Sequence, residues 1–230
     1  MSISTCFADD TVADHGIIVL NKNVSSSRSG RIILTNTDLH QFLRTRRSIR
    51  RFIQRPVPAS AIERILKTAT YAPSAHNLQP WRFVVVADSS AKNHLSKALT
   101  DKMRLDMTIA GAPQYEIDSR AERSLRRIDE APVIILLCRD ASAVRGNEPE
   151  EVTMAIQSVA AAGLQLMLAA HAEGLGSNWI CWPLYAQEAA RWALELPESW
   201  EPQAMFFLGY VEGEPGNKVL KSLDEIVITI

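Results

Sequence analysis

The sequence predicts an α+β fold in which helices cover a mixed β-sheet. Two observations lead to this prediction. Short apolar runs at 83–86, 133–138 and 204–210, of which the first two are rich in β-branched residues, have the length of buried strands. The segments between these runs have the apolar spacing of helices. With 230 residues, of which 47% are hydrophobic and 22% charged, the chain can bury the core of one principal domain.

The first 36 residues are predicted to form an appendage, and the domain is predicted to span residues 37–230. The segments 17–20 and 31–34, which are apolar apart from Arg31, flank a stretch rich in serine and asparagine. This pattern is typical either of a loose hairpin or of a partly disordered leader, and both interpretations stay open.

Two helices are predicted to open the domain. The first runs from about Asp38 to about Arg46, and it is expected to bury its apolar side, which is made of Leu39, Phe42 and Leu43. Ser60 and Glu63 form a capping-box pattern after two prolines, which predicts a second helix that ends near Tyr71. The run at 83–86 then predicts a core strand.

The middle of the chain predicts a long excursion between two strands. A helix is expected over 90–107, a lid-like loop over 108–118 and a basic amphipathic helix over 119–128. A buried strand at 133–138 and a polar loop at 139–149 follow.

The longest predicted helix spans about 150–173, and apolar residues lie nearly all round it. Because a helix without a polar face must be covered on every side, we expect a dimer interface to share it. The remaining elements are a strand or turn at 177–182, a short helix at 187–196 and a central strand at 203–211.

Two polar motifs lie at the two ends of the second helix. Guanidinium and hydroxyl groups that suit a phosphate are concentrated in Arg46-Arg47-Ser48-Ile49-Arg50. Prolines that fix the backbone are combined with short polar side chains in Pro73-Ser74-Ala75-His76-Asn77-Leu78-Gln79-Pro80-Trp81. A solvated helix end is the simpler interpretation of the arginines taken alone. Together the motifs predict a site for a phosphate and a flat heteroaromatic ring.

The order and spacing of these motifs resemble the nitroreductase family of FMN-dependent oxidoreductases. The resemblance extends through 174–182 and 208–210 and covers roughly residues 38–230. Within the family, 174–179 and 196–202 are most similar to the branch with the flavin-binding C-terminal domain of the ligase that makes the deazaflavin coenzyme. The resemblance implies a three-layer α/β/α sandwich and an intertwined homodimer.

The resemblance also implies roles for individual residues in a flavin site shared by two subunits. One subunit would contact the FMN phosphate, ribityl chain and ring edge through Arg46, Arg47, Ser48 and Arg50. The other subunit would reach the same flavin through Pro73, Ser74, Ala75 and Asn77.

Two further segments complete the implied site. The ring face would meet Trp179, Ile180, Cys181 and Trp182, where many family members have Glu-Gly in place of Cys181-Trp182. Lys218 and Lys221 resemble basic phosphate contacts of relatives, and solvated lysines are the alternative.

The function implied by the resemblance is hydride transfer from NADH or NADPH to a nitroaromatic, quinone or related small-molecule acceptor by a ping-pong mechanism. The flavin carries this chemistry, so we expect no catalytic side chain. The alternative is a flavin- or deazaflavin-binding module without its own turnover, associated with coenzyme biosynthesis. Flavin self-destruction, as in a distant branch of the family, is a third interpretation that nothing in the sequence selects.

Composition argues against several other classes of protein. A net charge of -1 provides no basic excess for nucleic acid. The longest apolar stretch, 159–172, is short of the roughly 20 residues of a membrane span. The cysteines Cys6, Cys138 and Cys181 lack metal-site spacing and are predicted to be free thiols, which favours the cytoplasm. The first residues lack the pattern of a secretory signal.

Overall fold

A computed structural model of the chain describes residues 18–20, 32–146, 148–216 and 218–230. The chain divides into two compact units, Met1–Arg46 and Arg47–Ile230. In the first unit the strands β1 (Ile18–Leu20) and β2 (Ile32–Leu34) pair antiparallel, and helix α1 (Asn36–Thr45) follows. The other residues before Ile32, Cys6 among them, lie outside the described part of the chain, so the proposed appendage stays a prediction.

Helix α1 begins with a capping box. The Thr35 hydroxyl accepts a hydrogen bond from the Asp38 amide at 3.2 Å, and the Asp38 carboxylate accepts one from the Thr35 amide at 2.9 Å. No residue of α1 is buried, and Leu43 is 50% exposed. The expectation that this helix packs its apolar side into a core is therefore wrong for the single chain. The spacing of Leu39, Phe42 and Leu43 defines an apolar side but does not determine what covers it.

The described residues of the second unit form five helices and a four-stranded sheet, apart from short 3-10 turns. In chain order its elements are α2 (Ala59–Ala69), β3 (Trp81–Val86), α3 (Ser89–Ile109), α4 (Gln114–Asp129), β4 (Val133–Asp140), α5 (Pro149–Ala172), β5 (Gly176–Ile180), α6 (Gln187–Ala193) and β6 (Trp200–Gly209). The α+β class and the predicted core strands are confirmed.

The strands of this sheet lie in the order β3-β4-β6-β5, and each neighbouring pair is antiparallel. The prediction of a mixed sheet is wrong for the described strands. Val133 pairs with Leu208 and Gly176 with Gly209, so β4 and β5 start at the same end and run parallel. The last strand, β6, inserts between them and runs against both, which removes the parallel contact.

A helical hairpin connects β3 to β4. Helix α3 carries the chain away and α4 brings it back, so β4 starts beside the end of β3, where Val86 pairs with Ile134. A single crossover helix would have favoured parallel strands. The predicted loop over 108–118 is also wrong, because α3 runs to Ile109 and α4 starts at Gln114.

Helices cover both faces of the sheet. On one face, Ile65 of α2 and Leu166 of α5 pack with inward residues of β4 and β6. On the other face, Leu95 of α3 and Ala190 of α6 pack against the alternate residues of the same strands. All eight residues of β4 are buried, which explains its unbroken apolar run.

Helix α5 confirms the predicted long apolar helix. It is the one helix in the described part of the chain that is long and apolar enough to cross a membrane, by length and composition alone. It packs against α2 and the sheet, and 44% of its most apolar 18-residue stretch is buried, so it is a partly buried core helix. Ile156 and Leu164 are 41% and 50% exposed, so one chain does not cover α5 on every side.

Candidate functional site

The segment after α1 runs alongside the sheet at its β5 edge. The Ile49 amide donates to the Ser177 carbonyl oxygen at 2.9 Å, and Ser48 forms an isolated parallel bridge with Ser177 of β5. Further along, the Ile53 amide donates to the carbonyl oxygen of Tyr210 at 2.9 Å. Backbone pairing therefore places Arg47, Ser48 and Arg50 beside the start of β5.

Two glycines allow this close approach. A Cβ atom on Gly176 would lie 2.7 Å from side-chain atoms of Ile49. A Cβ atom on Gly209 would lie 2.7 Å from Pro132 and 3.0 Å from Phe52. Only a residue without a side chain fits at either point, so the segment is held by shape as well as by hydrogen bonds.

The second motif forms a tight turn between α2 and β3. His76, Asn77 and Gln79 all have left-handed backbones, with φ of 52°, 56° and 50°. Such angles are uncommon for residues other than glycine and cost about 1–3 kcal/mol each when strained. Three of them within four residues indicate that the surrounding structure imposes the shape of the turn.

Hydrogen bonds to the body of the domain hold this turn. The Ala75 amide donates to Ser158 Oγ of α5 at 3.1 Å, and that buried hydroxyl donates onward to the Met154 carbonyl at 2.7 Å. Ser74 Oγ accepts from the Gln79 amide at 3.1 Å. Asn77 Oδ1 accepts from Gln79 Nε2 at 3.2 Å, a bond that does not use the Asn77 side-chain nitrogen.

An ion pair secures the end of the turn. Arg82 Nη2 lies 2.8 Å from Asp140 Oδ2, and Arg82 Nη1 donates to the Gln79 carbonyl at 3.1 Å. Burial raises the pKa of the Asp140 carboxyl, but hydrogen bonds from Ser142 and Ser199 and the charge of Arg82 lower it more. The pKa of Asp140 therefore lies below its ordinary value of 3.8.

Asp140→Asn is expected to lower the free energy of unfolding at pH 7 by about 1–3 kcal/mol, because the Arg82 guanidinium loses its charged partner. Since the folded-state pKa is depressed, ionised Asp140 stabilises the fold above the unfolded-state pKa, and the contribution disappears as pH falls through the lower folded value. When the pH is lowered from 7 to below about 4, the free energy of unfolding of the variant should therefore fall by less than that of the parent. Urea unfolding at pH 7 and in acid measures both effects.

Asp101→Asn is the matched control, because Asp101 forms an exposed pair with Lys97 within α3. We expect a change of at most about 0.5 kcal/mol there. Equal effects of the two substitutions would show that the Asp140 pair does not secure the turn.

A cavity of about 650 Å³ opens at the far end of β5. Its sheet side includes Ile180, Cys181 and Trp182, three of the residues predicted to face a ring. Its opposite side is made by α3 and α4, through Lys102, Met103, Asp106, Met107, Arg120, Arg123, Ser124 and Arg127. Of the described residues, those of the arginine segment and of the 73–79 turn do not line it.

The other predicted site residues lie apart from this cavity. Trp179 packs edge-to-face on Phe206, with ring centroids 4.9 Å apart. Lys218 and Lys221 are exposed in the segment that follows β6. Arg46 ends the first unit after α1. The roles of these residues stay predictions, as does the pairing of the two polar motifs around one ligand.

The cavity residues of α3 and α4 were not among the predicted site residues, because helical spacing does not tell which other elements a helix faces. A start signal for α4 was present in Pro113, which precedes the first turn. Ile117, Ala121 and Ile128, all buried, have the spacing of one helical face.

The described residues contain free thiols but no cluster of metal ligands. No group of three or more histidine, cysteine, aspartate or glutamate side chains there could hold a metal ion. Burial raises the pKa of Cys138 to about 12, so its thiol stays protonated and inert. Cys181 is a free, exposed thiol at the cavity.

Comparison with known proteins identifies relatives of the chain. Residues 43–210 match the model of the nitroreductase family. A protein of Methanothermobacter thermautotrophicus, provisionally named NADH dehydrogenase/NAD(P)H nitroreductase, is 30% identical over 197 residues, which are 84% of this chain and 87% of that protein. The 5,6-dimethylbenzimidazole synthase of Rhodospirillum rubrum is 31% identical over 173 residues, 74% of this chain and 80% of the synthase.

A solved structure has the same fold. It is a protein of Desulfovibrio desulfuricans, provisionally named a nitroreductase, in complex with FMN. The TM-score is 0.68 at 27% identity, and the match covers 85% of this chain and 98% of that one. These three relatives lend no support to the deazaflavin-ligase branch of the sequence analysis.

Proposed function

The chain belongs to the nitroreductase family, and we propose that it is an FMN-dependent oxidoreductase that takes hydride from NADH or NADPH. Its acceptor is a nitroaromatic, a quinone or a related small molecule. The observation that carries the proposal is the course of β5, which has the arginine segment bonded at its start and the cavity at its end.

The residues at β5 fit FMN. Arg47, Ser48 and Arg50 are the guanidinium and hydroxyl donors that a phosphate ester requires. Ile180 lies three residue steps beyond Ser177, about 10 Å along an extended strand, a distance that a ribityl chain can bridge. FMN when bound would supply two-electron hydride chemistry between a nicotinamide and an acceptor.

The protein's task in this proposal is to bind, orient and exclude water. Guanidinium groups of Arg47 and Arg50 would neutralise the phosphate of bound FMN, and a cation of this segment at the ring edge would favour the negative charge that reduction adds. Each turnover oxidises one NAD(P)H to NAD(P)⁺. The two electrons, with two protons, convert a nitro group to a nitroso group and water, or a quinone to a hydroquinone.

We further propose a homodimer in which the turn at 73–79 of one chain completes the site of the other. Three features support it. Helix α5 exposes Ile156 and Leu164, α1 leaves Leu43 half exposed, and the segment after β6 exposes Val219, Leu220 and Ile228 at 95%, 70% and 89%. A second copy of the chain would cover these apolar surfaces. Its Asn77 side-chain amide would then approach the ligand held by the arginines of the first copy.

Mixed dimers test the shared site. Co-expression of an Arg47→Ala, Arg50→Ala chain with an Asn77→Ala chain should restore about half of the normal flavin content in purified heterodimers. One of the two sites then carries both defects and the other carries neither. Differently tagged chains allow the heterodimer to be isolated and its FMN to be counted by absorbance. Flavin content no better than in either homodimer would place the site within one chain.

The reaction itself is tested with purified protein. We expect a yellow protein that releases FMN on denaturation, bleaches on addition of NADH or NADPH, and regains colour with an acceptor. A colourless protein that does not take up added FMN would refute the proposal. The same test addresses the alternative of a binding module without turnover, which would hold flavin but never bleach with either nicotinamide.

A second candidate activity is supported by the synthase relative, which is about as similar as the reductase relative. Product mixtures from flavin-loaded protein should therefore be examined for 5,6-dimethylbenzimidazole.

A cytoplasmic location is also part of the proposal, and it rests on the free thiols Cys138 and Cys181.

A further inference from the structure

One face of α4 presents three arginines to the cavity at the end of β5. Arg120, Arg123 and Arg127 are spaced by three and four residues, which places them on the same side of the helix. Arg126 lies between them in sequence but points elsewhere, is exposed and does not line the cavity. The three arginines therefore lie on the side of α4 that faces the cavity. Arginines that only solvate a helix have no reason to gather on that side.

The charges at this cavity do not cancel. Asp106 is the carboxylate among its lining residues, and Lys102 pairs with it one turn away on α3. In the described part of the chain, no ion pair joins any of the three α4 arginines to a carboxylate. Arg123 donates a hydrogen bond to the Ser119 hydroxyl at 3.1 Å. The lining thus carries four cations and one anion, a net charge of +3.

The floor of the cavity is apolar. Met205 and Phe207 of β6 are buried beneath it, and Ile180 and Trp182 form its wall next to the sheet. Met103 and Met107 of α3 add flexible thioether side chains, which adapt to rings of different shape. An apolar floor beside a few convergent charged groups is the usual composition of a small-molecule site.

We propose that this cavity binds a flat aromatic ligand that carries an anionic group, with the ring on the apolar floor and the anion against Arg120 and Arg127. It follows that the acceptor of the reaction is an anionic aromatic compound; this step rests on the proposed function. The same chemistry has a second source, the phosphates of the nicotinamide donor. The α4 arginines are exposed, so they also raise the local concentration of anions before contact.

Charge reversal of the arginine face tests the proposal. The probes are 4-nitrobenzoate and 4-nitrobenzamide, which share their shape and differ in charge. In the Arg120→Glu, Arg127→Glu variant, kcat/KM for the carboxylate should fall about tenfold or more, as expected for loss of charge-assisted contacts, while the amide changes less than about twofold. Arg126→Glu makes a charge change on the same helix outside the cavity and should spare both probes.

Binding provides a readout that is independent of turnover. Calorimetric titration of the purified protein with 4-nitrobenzoate should show the same loss of affinity in the double variant and none in Arg126→Glu. High salt should weaken binding of the carboxylate and leave the amide unaffected. If KM for NADPH and NADH rises while the acceptor values do not, the anion is the donor's phosphate.

The outcomes separate this inference from the proposed function. Turnover of the amide without any preference for the carboxylate, and equal binding by parent and double variant, would overturn the inference and leave the reductase intact. Flavin-loaded protein that neither NADH nor NADPH bleaches, together with arginine-dependent binding of the carboxylate, would refute the reductase and retain the anion site.

Discussion

Phe206→Ala is expected to lower the free energy of unfolding by about 3–5 kcal/mol, the loss typical of a large aromatic removed from a packed core. Phe206 is fully buried on the central strand β6. Its ring lies edge-to-face with Trp179, with an interplanar angle of 72°. A Cβ atom on Gly163 would come within 2.9 Å of the Phe206 ring and 2.7 Å of Trp179. Atoms are therefore in contact around the ring, and the vacated space cannot collapse easily.

Urea unfolding of the parent and the variant measures this loss, and Phe206→Leu is the control. Leucine keeps most of the apolar volume, so its cost should stay below about 1.5 kcal/mol. Since Trp179 precedes Ile180 in β5, the alanine variant should also perturb the cavity. A loss smaller than about 1 kcal/mol would show that the contact between α5, β5 and β6 is loosely packed.

Removal of Arg47 and Arg50 together is expected to raise the Kd for FMN by at least about 100-fold. Each guanidinium contact with a phosphate contributes about 1.5–3 kcal/mol, and 1.4 kcal/mol is a factor of ten. The measurement is a titration of flavin-free protein with FMN, in which the quenching of flavin fluorescence reports binding. Both arginines lie outside the two core clusters, so the midpoint of thermal unfolding without flavin should change little.

The control for this pair is Arg126→Ala with Arg145→Ala. Both residues are exposed, and their replacement removes the same total charge away from β5. A weak effect in the control and a strong one in the test pair would show that position, and not net charge, governs binding. Equal effects would indicate long-range attraction alone, and an unchanged Kd in the test pair would remove the arginine segment from the site.

Local signals in the sequence predicted many elements well. The β-branched runs at 83–86 and 133–138 are strands, and the long apolar segment is α5. These signals depend on neighbours within a few residues, so they are legible without the fold. The structure also explains a glycine in each of the motifs 174–176 and 208–210. A side chain at Gly176 would collide with Ile49, and one at Gly209 would collide with Pro132.

Other features depended on contacts between distant residues. Periodicity marks a strand as buried but contains no information on its partner, and the insertion of β6 between β4 and β5 decided that the sheet is antiparallel. The sequence predicts the apolar side of α1, but it does not predict what packs against that side.

The sequence by itself determined the family motifs, the core strands and the long helix, because each is encoded by residues close together in the chain. Only the tertiary structure decided the strand order, the strained turn tied to Ser158 and the cavity between β5 and α4. Trp182 and Arg127 are far apart in sequence, and it is the packing of the α3–α4 hairpin near the sheet that brings them to one cavity.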